Sequence, residues 1–266
     1  FFAAYNDLLE EVAKFRAARR LWARLMKERF GASDRSCQLR FHTQTGGSTL
    51  TAQQPLNNMV RVTVQALAAA LGGTQSLHTN GFDEALALPT EGAAKLAVRT
   101  QQILAHESGI TNTVDPLAGS YYVEALTSKI EDAASTYLKE IEGLGGAPKA
   151  IEFMQGEIDA SAYRHQMEIE ANERLVVGVN AFEEEEEPPS IEKPDFSALE
   201  VAQKLRLEEV KAGRDAGNTS QALEGVRSAA QSTDNLVPPI IEAAKASATI
   251  GEISQVLREE WGTHDP

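Results

Sequence analysis

The sequence is poor in cysteine and in aromatic residues, and it has no long apolar run. Cys37 is its one cysteine, so a disulfide framework is excluded and a reducing compartment, the cytoplasm, is expected. No apolar run approaches the ~20 residues of a membrane-spanning helix, and no signal-peptide pattern is visible. We therefore expect neither a secreted protein nor one with a membrane partner.

Positive charge is also scarce. The chain carries 25 basic and 39 acidic residues, a net charge of −14, which argues against nucleic acid or an anionic membrane as a partner. Any anionic ligand would have to meet positive charge that is concentrated locally. Because the chain opens on Phe1-Phe2 and runs directly into a helical pattern, we expect the carboxyl-terminal part of a longer polypeptide.

The most informative stretch predicts a strand, a helix and a second strand. Residues 38–45 and 74–79 are predicted to be short strands, and residues 55–71 between them an apolar helix. Gly72-Gly73 supplies the left-handed residue that ends such a helix. Because a connection of this length joins parallel strands, the pattern predicts an α/β fold.

Both strands carry polar side chains at every second position. In the first strand, one face carries Arg40, His42 and Gln44, and the other carries Leu39, Phe41 and Thr43. The second strand repeats the polar face with Ser76, His78 and Asn80. Unpaired polar groups are costly in a core, and the carboxyl ends of parallel strands form the active site of a (β/α) barrel. We therefore predict a functional site on this face.

The rest of the chain is predicted to be mainly helical. A long first helix ends near Phe30-Gly31 and carries a row of basic residues, which we interpret as a solvated face; contact with a partner subunit or with phosphates is the alternative. Further helices are predicted over residues 90–107, 120–142 and, as a pair, 147–174, with short strands over 110–114 and 175–180.

Three parts are predicted along the chain. They are a partial barrel over residues 1–182, an acidic linker with prolines over 183–196, and a helical tail over 197–266. In the tail, Ser197 with Glu200 and Thr249 with Glu252 match the capping-box pattern, and Trp261 is expected to pack on a neighbouring element.

Two segments carry a family resemblance. FHTQTGGSTLTAQQP from Phe41 and GGTQSLHTNGFDEALALPTE from Gly72 resemble the large-subunit barrel of adenosylcobalamin-dependent acyl-CoA mutases, the methylmalonyl-CoA mutase family. The resemblance continues through RTQQILAHESG, DPLAGSYYVE and VVGVNAF, so it covers nearly the whole chain. GGSTL and AQQP resemble the isobutyryl-CoA and 2-hydroxyisobutyryl-CoA mutase branches more than methylmalonyl-CoA mutase, in which Trp usually follows the glycine.

The resemblance implies a fold and an activity. The fold is the carboxyl-terminal part of a (β/α)8 TIM barrel followed by a helical tail. The activity is a radical isomerisation of the carbon skeleton of an acyl-CoA thioester, methylmalonyl-CoA/succinyl-CoA or a related branched acyl-CoA. The cofactor is adenosylcobalamin, and the implied partner in a hetero- or homo-oligomer is a cobalamin-binding small subunit or domain.

The resemblance also assigns the polar side chains to substrate and cofactor. His42 would hydrogen-bond the thioester carbonyl, where an N–H steadies charge on the oxygen; a structural histidine is the alternative. Gln44, which has no titratable proton, would lie beside the adenosyl and corrin region; an amide bonded to neighbouring backbone is the alternative. No second His or Cys lies at ligand spacing from His42, so a metal site is not predicted.

Further positions match the family pattern. Asn80 and Glu84 are assigned to the ribose of the adenosyl group, although Glu84 also suits the first turn of a helix. Gln75 and Ser76 match positions that line the acyl-CoA channel, and Arg35 stands where the family often has a Lys near the CoA phosphates. The remaining histidines are interpreted as structural or exposed: His78, His106, His165 and His264.

Some family features are missing from this sequence. It has no DxHxxG cobalamin-ligand motif and lacks the earlier barrel strands, so this chain alone should not turn over substrate. The alternative function is an incomplete, non-catalytic barrel half that serves subunit assembly through the first helix and the tail. A barrel lyase with His42 as general base has no carboxylate placed to orient the histidine.

Overall fold

A parallel sheet of three short strands organises the first of two structural units. The computed structural model describes residues 1–184 and 196–263, and its units lie within residues 1–194 and 195–266. The strands pair in the order β1 (Phe2–Ala4), β2 (His42–Thr45), β3 (Ser76–His78), all in parallel. The α/β class and the parallel pairing are confirmed, although β2 and β3 are shorter than predicted. Among the described residues the strands do not close into a barrel.

Two helices make the connections between these strands. Helix α1 (Leu8–Phe30) leads from β1 to β2, and α2 (Asn57–Leu71) leads from β2 to β3. Gly72 ends α2 in a right-handed conformation, and Gly73 then takes the left-handed one, with φ of +80°. The predicted strand–helix–strand pattern is therefore confirmed.

One face of β2 packs on the two helices. Phe41 precedes the strand and is 6% exposed, and Thr43 and Thr45 are buried behind it. Phe15 of α1 stacks on Phe41 with ring centroids 5.3 Å apart, and Ala69 of α2 completes this core. The predicted alternation is confirmed, because His42 and Gln44 point to the opposite, open face.

The start of the chain forms a strand instead of the expected helix. Residues Phe2–Ala4 pair with β2, and Ala4 is fully buried. Helix α1 begins only at Leu8, where the Asp7 side chain caps it by accepting from the Glu10 N–H at 3.1 Å. The edge of β2 offers backbone groups that need partners, and the first residues satisfy them.

The basic face of α1 is a helix–helix interface. It packs against α4 (Tyr121–Gly143) through the ion pairs Arg16–Glu124, Arg20–Glu131, Arg24–Glu131 and Arg29–Glu142. The side chain of Glu131 is only 4% exposed, and Arg24 lies 2.7 Å from its Oε1 as an ion pair without hydrogen-bond alignment. Arg20, Arg24 and Arg29 stay about half exposed, in agreement with a solvated face, but they also form ion pairs with α4, which the sequence did not predict.

Two further predicted strands are not formed. Ile110–Asn112 is a short 3-10 turn that follows Gly109 at a φ of +76°, which breaks the extended backbone a strand needs. Residues 175–180 contain one bridge, between Val177 and Ala181, and Val177 is 43% exposed. The Asn180 side chain holds this segment as a loop by donating to the Ile169 carbonyl at 2.8 Å.

The later helices of this unit agree with the sequence except for one. Helix α3 (Glu91–His106) is capped by Thr90, and α4 is capped by Ser120. Residues 147–174, predicted as a helix pair, form the single helix α5 (Ile151–Glu170) after a short 3-10 turn. Pro148 lies in that turn, where its missing N–H costs nothing, so α5 can run unbroken behind it.

The second unit is a group of four described helices. They are α6 (Ser197–Gly213), α7 (Ala216–Ala230), α8 (Val237–Lys245) and α9 (Ile250–Trp261). Val226, Ala243 and Val256 form the core between α7, α8 and α9, whereas α6 buries no side chain. Trp261 donates to the Ala230 carbonyl at 3.1 Å, which confirms that it packs on a neighbouring helix.

One of the two capping boxes predicted in this unit is formed. The capping box of Thr249 and Glu252 is formed, and the Arg214 guanidinium with the Thr249 N–H holds the pKa of Glu252 well below its usual range. At α6, the N-cap residue is Phe196 in place of the predicted Ser197.

Part of the predicted linker falls outside the described residues. Of residues 183–196, the structure describes only 183, 184 and 196, and His264 is likewise outside the described range. In the part of the chain that is described, no helix is long and apolar enough to cross a membrane.

We predict that Glu131→Gln lowers the free energy of unfolding by about 1.5–3 kcal/mol, because it removes a buried carboxylate that pairs with two arginines. Glu142→Gln on the same helix is the control. Its carboxylate is 47% exposed, so the loss should stay below ~1 kcal/mol. Urea denaturation of both variants measures the difference, and equal losses would show that the Glu131 contact is not special.

Candidate functional site

The open face of the sheet borders a cavity of about 470 Å³. The residues that line it come from β1, from β2 and from the loop after β2, and they include Phe1, Ala3, Tyr5, His42, Gln44 and Gly47. His42 and Gln44 therefore face one cavity, as predicted, while Phe41 and Thr43 belong to the opposite, buried face. The cavity lies towards the carboxyl ends of the strands.

His42 is held from two sides. In the parallel register it lies beside Ser76 of β3, and its Nδ1 is 2.7 Å from the Ser76 Oγ. The ring of Phe1 contacts the imidazole edge-on, with centroids 5.5 Å apart. Nε2 has no hydrogen-bond partner among the described residues and remains for a ligand. Because the group on Nδ1 is a hydroxyl and not a carboxylate, the arrangement does not favour a general base.

Gln44 offers a free amide at the carboxyl end of β2. Its side chain is exposed and makes no hydrogen bond to the residues that the structure describes, so the alternative of an amide tied to neighbouring backbone is wrong. In the register Gln44 lies between Ala3 and His78. His78 is exposed, as interpreted, yet it shares this face with Gln44. The period of two already marked His78 as a candidate that the sequence reasoning passed over.

Asn80 and Glu84 form a hydrogen-bonded pair just beyond β3. The Asn80 Nδ2 donates to the Glu84 Oε2 at 2.5 Å, and the Gly81 N–H donates to the Glu84 Oε1 at 2.6 Å. Asn80 is 3% exposed, so it does not continue the exposed row of Ser76 and His78 as predicted. Glu84 is half-buried and is the more accessible member of the pair.

The segment around Glu84 is a turn. Glu84 donates its backbone N–H to the Gly81 carbonyl, and the next helix begins only at Glu91. The alternative of a carboxylate in the first turn of a helix is therefore wrong. Asp83 fixes the end of the turn, because its Oδ2 accepts from both the N–H and the hydroxyl of Thr90 at 2.9 and 2.8 Å.

The residues assigned to the acyl-CoA channel lie towards the amino ends of the strands. Gln75 accepts from the Phe41 N–H at 2.7 Å and donates to the Gly73 carbonyl at 2.9 Å, so its amide braces the backbone there. Ser76 contacts His42, as described. Arg35 is exposed in the loop before β2, and the structure gives it no side-chain contact with the other site residues.

A buried glutamine that the sequence reasoning missed holds the loop after β2. Gln65 of α2 is fully buried, accepts from the Gly46 N–H at 3.0 Å and donates to Thr49 Oγ1 and Asn6 Oδ1, both at 2.6 Å. The available signal was a polar residue at helical spacing from the apolar residues Val62 and Ala69, on the buried face of this helix. Buried polar side chains of this kind need partners, and here the partner is the loop that lines the cavity.

The site is built for hydrogen bonding. Across the described ranges, no group of three or more His, Cys, Asp or Glu side chains could hold a metal ion. The imidazole of His42 and the hydroxyl of Ser76 lie at the start of β2 and β3, and the amides of Gln44 and Asn80 with the carboxylate of Glu84 lie towards or beyond the carboxyl ends, where α/β proteins position ligands.

The chain belongs to the methylmalonyl-CoA mutase family. The family described as methylmalonyl-CoA mutase matches residues 1–263. The large subunit of 2-hydroxyisobutanoyl-CoA mutase from Aquincola tertiaricarbonis is 46% identical over 99% of this chain and 48% of that protein. The methylmalonyl-CoA mutase of Rhizobium meliloti is 45% identical over 99% of this chain and 38% of that protein.

A third relative extends the comparison. The methylmalonyl-CoA mutase of Escherichia coli is 44% identical over 97% of this chain and 36% of its own length. The chain thus spans about half of the first relative's length and less of the others. The relatives named here are mutases, which are isomerases, and they include a 2-hydroxyisobutanoyl-CoA mutase as well as methylmalonyl-CoA mutases.

Proposed function

We propose that this chain forms the later part of the substrate-binding barrel of an adenosylcobalamin-dependent acyl-CoA mutase. The complete enzyme would isomerise the carbon skeleton of an acyl-CoA thioester, methylmalonyl-CoA/succinyl-CoA or a related branched acyl-CoA. Family membership supports the reaction class. The consecutive parallel strands with their connecting helices support the later βα units of a (β/α)8 barrel.

The observation that carries this proposal is the order of the side chains along the direction of the strands. Arg35 and Gln75 precede β2 and β3, His42 and Ser76 are the first residues of these strands, and Gln44 and Glu84 lie towards or beyond their carboxyl ends. A long ligand that runs along the strands would meet these groups one after another. The CoA portion, the thioester and the adenosyl group are assigned to them in that same order.

His42 and Gln44 suit a reaction in which orientation matters more than proton transfer. His42 offers Nε2 to the cavity while Ser76 fixes its other ring nitrogen. An N–H aimed at the thioester carbonyl would stabilise charge on that oxygen as the acyl group migrates. Gln44 adds an amide without a titratable proton, so it can bind without acting as acid or base.

The donor set beyond β3 fits the ribose of an adenosyl group. Glu84 would accept from the vicinal hydroxyls through carboxylate lone pairs that Gly81 and Asn80 leave open. Asn80 is more buried and would hold Glu84 in place. When bound, adenosylcobalamin supplies the radical that starts the rearrangement. The residues of this chain bind, orient and shield the reacting groups.

Completion of the site requires further protein. We propose that the remaining barrel strands and a cobalamin-binding small subunit or domain complete the site within a hetero- or homo-oligomer. The name of one relative, a large subunit, supports a second subunit. The rival is a barrel half that only serves assembly through α1 and the helical tail. Its α1 part loses support because the arginines of α1 pair with α4 of the same chain.

We predict that His42→Ala in the complete enzyme lowers kcat by roughly 10²–10³-fold, because it removes one donor aimed at the carbonyl. His106→Ala is the control, since His106 is exposed at the end of α3, away from the open face. Steady-state kinetics with an acyl-CoA thioester measures both variants. Unchanged turnover in His42→Ala would remove the catalytic role.

We predict that Glu84→Gln weakens adenosylcobalamin binding by the assembled enzyme, because a charged hydrogen bond to the ribose is lost. The expected loss is about 1.5–3 kcal/mol, or roughly 10–150-fold in Kd. Hydroxocobalamin, which has no adenosyl group, is the control ligand, and its Kd should not change. Equilibrium binding of both cobalamins separates the roles, and an equal loss for both would contradict the ribose contact.

A further inference from the structure

We infer that Thr45 is a positioning residue for the cofactor end of the site. Its hydroxyl fixes the side-chain amide of Asn80 and, through it, the carboxylate of Glu84. The link from this pair to the cofactor rests on the proposed function, whereas the positioning itself rests on contacts in this chain alone. Two hydrogen bonds in series, from Thr45 to Asn80 and from Asn80 to Glu84, make up the connection.

The first step joins the ends of two neighbouring strands. The Thr45 Oγ1 donates to the Asn80 Oδ1 at 2.6 Å and accepts from the Asn80 N–H at 3.0 Å. One hydroxyl therefore holds both the backbone and the side chain of Asn80, the second residue after β3. Thr45 is 1% exposed and Asn80 is 3% exposed, so water does not replace these bonds easily.

The second step sets the direction of the Asn80 amide. Because Thr45 donates to the Asn80 Oδ1, that oxygen is turned towards β2 and the amide NH2 is turned away from it. The Asn80 Nδ2 then donates to the Glu84 Oε2 at 2.5 Å. A flipped amide would place an oxygen against the carboxylate, which is repulsive. The hydrogen bond from the Thr45 hydroxyl and the carboxylate of Glu84 therefore favour the same orientation of the Asn80 amide.

Gly47 shows how tightly this region is packed. A methyl group in place of its Cα hydrogen would lie 3.0 Å from the Asn80 Nδ2. Gly47 lines the cavity, so the Asn80 amide lies directly behind the cavity wall. A displaced amide would therefore disturb both Glu84 and the loop after β2.

Thr43 provides a matched contrast on the same strand. It lies two residues earlier, faces the same buried side and is fully buried, but its hydroxyl has no hydrogen-bond partner in the described structure. Val has the shape of Thr without the hydroxyl. Thr43→Val thus repeats the change of Thr45→Val without removing a hydrogen bond, and Thr45→Ser keeps the hydroxyl while removing the methyl group.

The first experiment is hydrogen–deuterium exchange in the cofactor-free protein, followed in peptides that cover residues 79–86. We expect amide exchange at Asn80 and Gly81 to be on the order of tenfold faster in Thr45→Val. The Asn80 N–H loses its acceptor, the Thr45 hydroxyl, and the Gly81 N–H is bonded to the Glu84 carboxylate, which is no longer held in place. Thr43→Val and Thr45→Ser should match the unmodified protein. Equal exchange in Thr45→Val and Thr43→Val overturns the inference.

The second experiment compares adenosylcobalamin with hydroxocobalamin in the assembled enzyme. We expect Thr45→Val to weaken binding of adenosylcobalamin alone, roughly tenfold, with Thr45→Ser restoring it. If Glu84→Gln shows this selective loss and Thr45→Val does not, the inference is overturned. If exchange in 79–86 rises while neither variant changes cobalamin binding, Thr45 is confirmed as the positioning residue and the ribose role proposed for the pair is wrong.

Discussion

Side chains of strand β2 alternate between a buried face and an open face, and the structure of the first unit depends on this alternation. Both of its edges are paired, with β1 on one side and β3 on the other, so its register is fixed by backbone hydrogen bonds. A slip by one residue would bring His42 and Gln44 into the core and expose Thr43 and Thr45. The stacking of Phe15 on Phe41 opposes that slip. The register of β2 therefore determines both the packing of the core and the geometry of the site.

Two polar side chains of α2, Gln65 and Asn58, are buried behind the cavity and are hydrogen-bonded. Gln65 holds the loop after β2, and Asn58 donates to the carbonyls of Thr51 and Phe82, both at 2.9 Å. Without hydrogen-bond partners, such groups would make the fold less stable than apolar residues at the same positions. With all their hydrogen bonds formed, they fix one arrangement of the loops. The loops that follow β2 and β3 are thus positioned by side chains of α2, an element that contributes nothing to the cavity lining.

The sequence predicted the elements whose signal is local and regular. The alternation around His42, the helix between the two strands and the caps of later helices follow from side-chain periods and capping residues. The strand Phe2–Ala4 could not be predicted in this way, because three residues show no period and their pairing with β2 is a tertiary contact. The ion pairs between the arginines of α1 and the glutamates of α4 could not be predicted for the same reason. A row of charges looks solvated until the helix that carries the opposite charges is in place.

The sequence predicted which residues form the candidate site better than it predicted the contacts between them. His42 and Gln44 were found from the period of two, whereas the link from Thr45 through Asn80 to Glu84 depends on how the chain turns after β3. Asn80 was predicted to be exposed with Ser76 and His78, but it is buried. The strand ends at His78, so the alternation of side chains does not extend to Asn80.

The distribution of positive charge gives the site a direction. In a chain with a net charge of −14, the arginines at positions 16, 20, 24 and 29 are already neutralised by α4. Arg35 and Arg40 are exposed, have no acidic partner among the described residues and lie before β2 at its amino end. Beyond the carboxyl end of β3, the Asn80 amide behind the cavity wall holds the carboxylate of Glu84. An anionic ligand portion is therefore favoured at the amino ends of the strands, and a group rich in hydroxyl donors is favoured at the carboxyl ends.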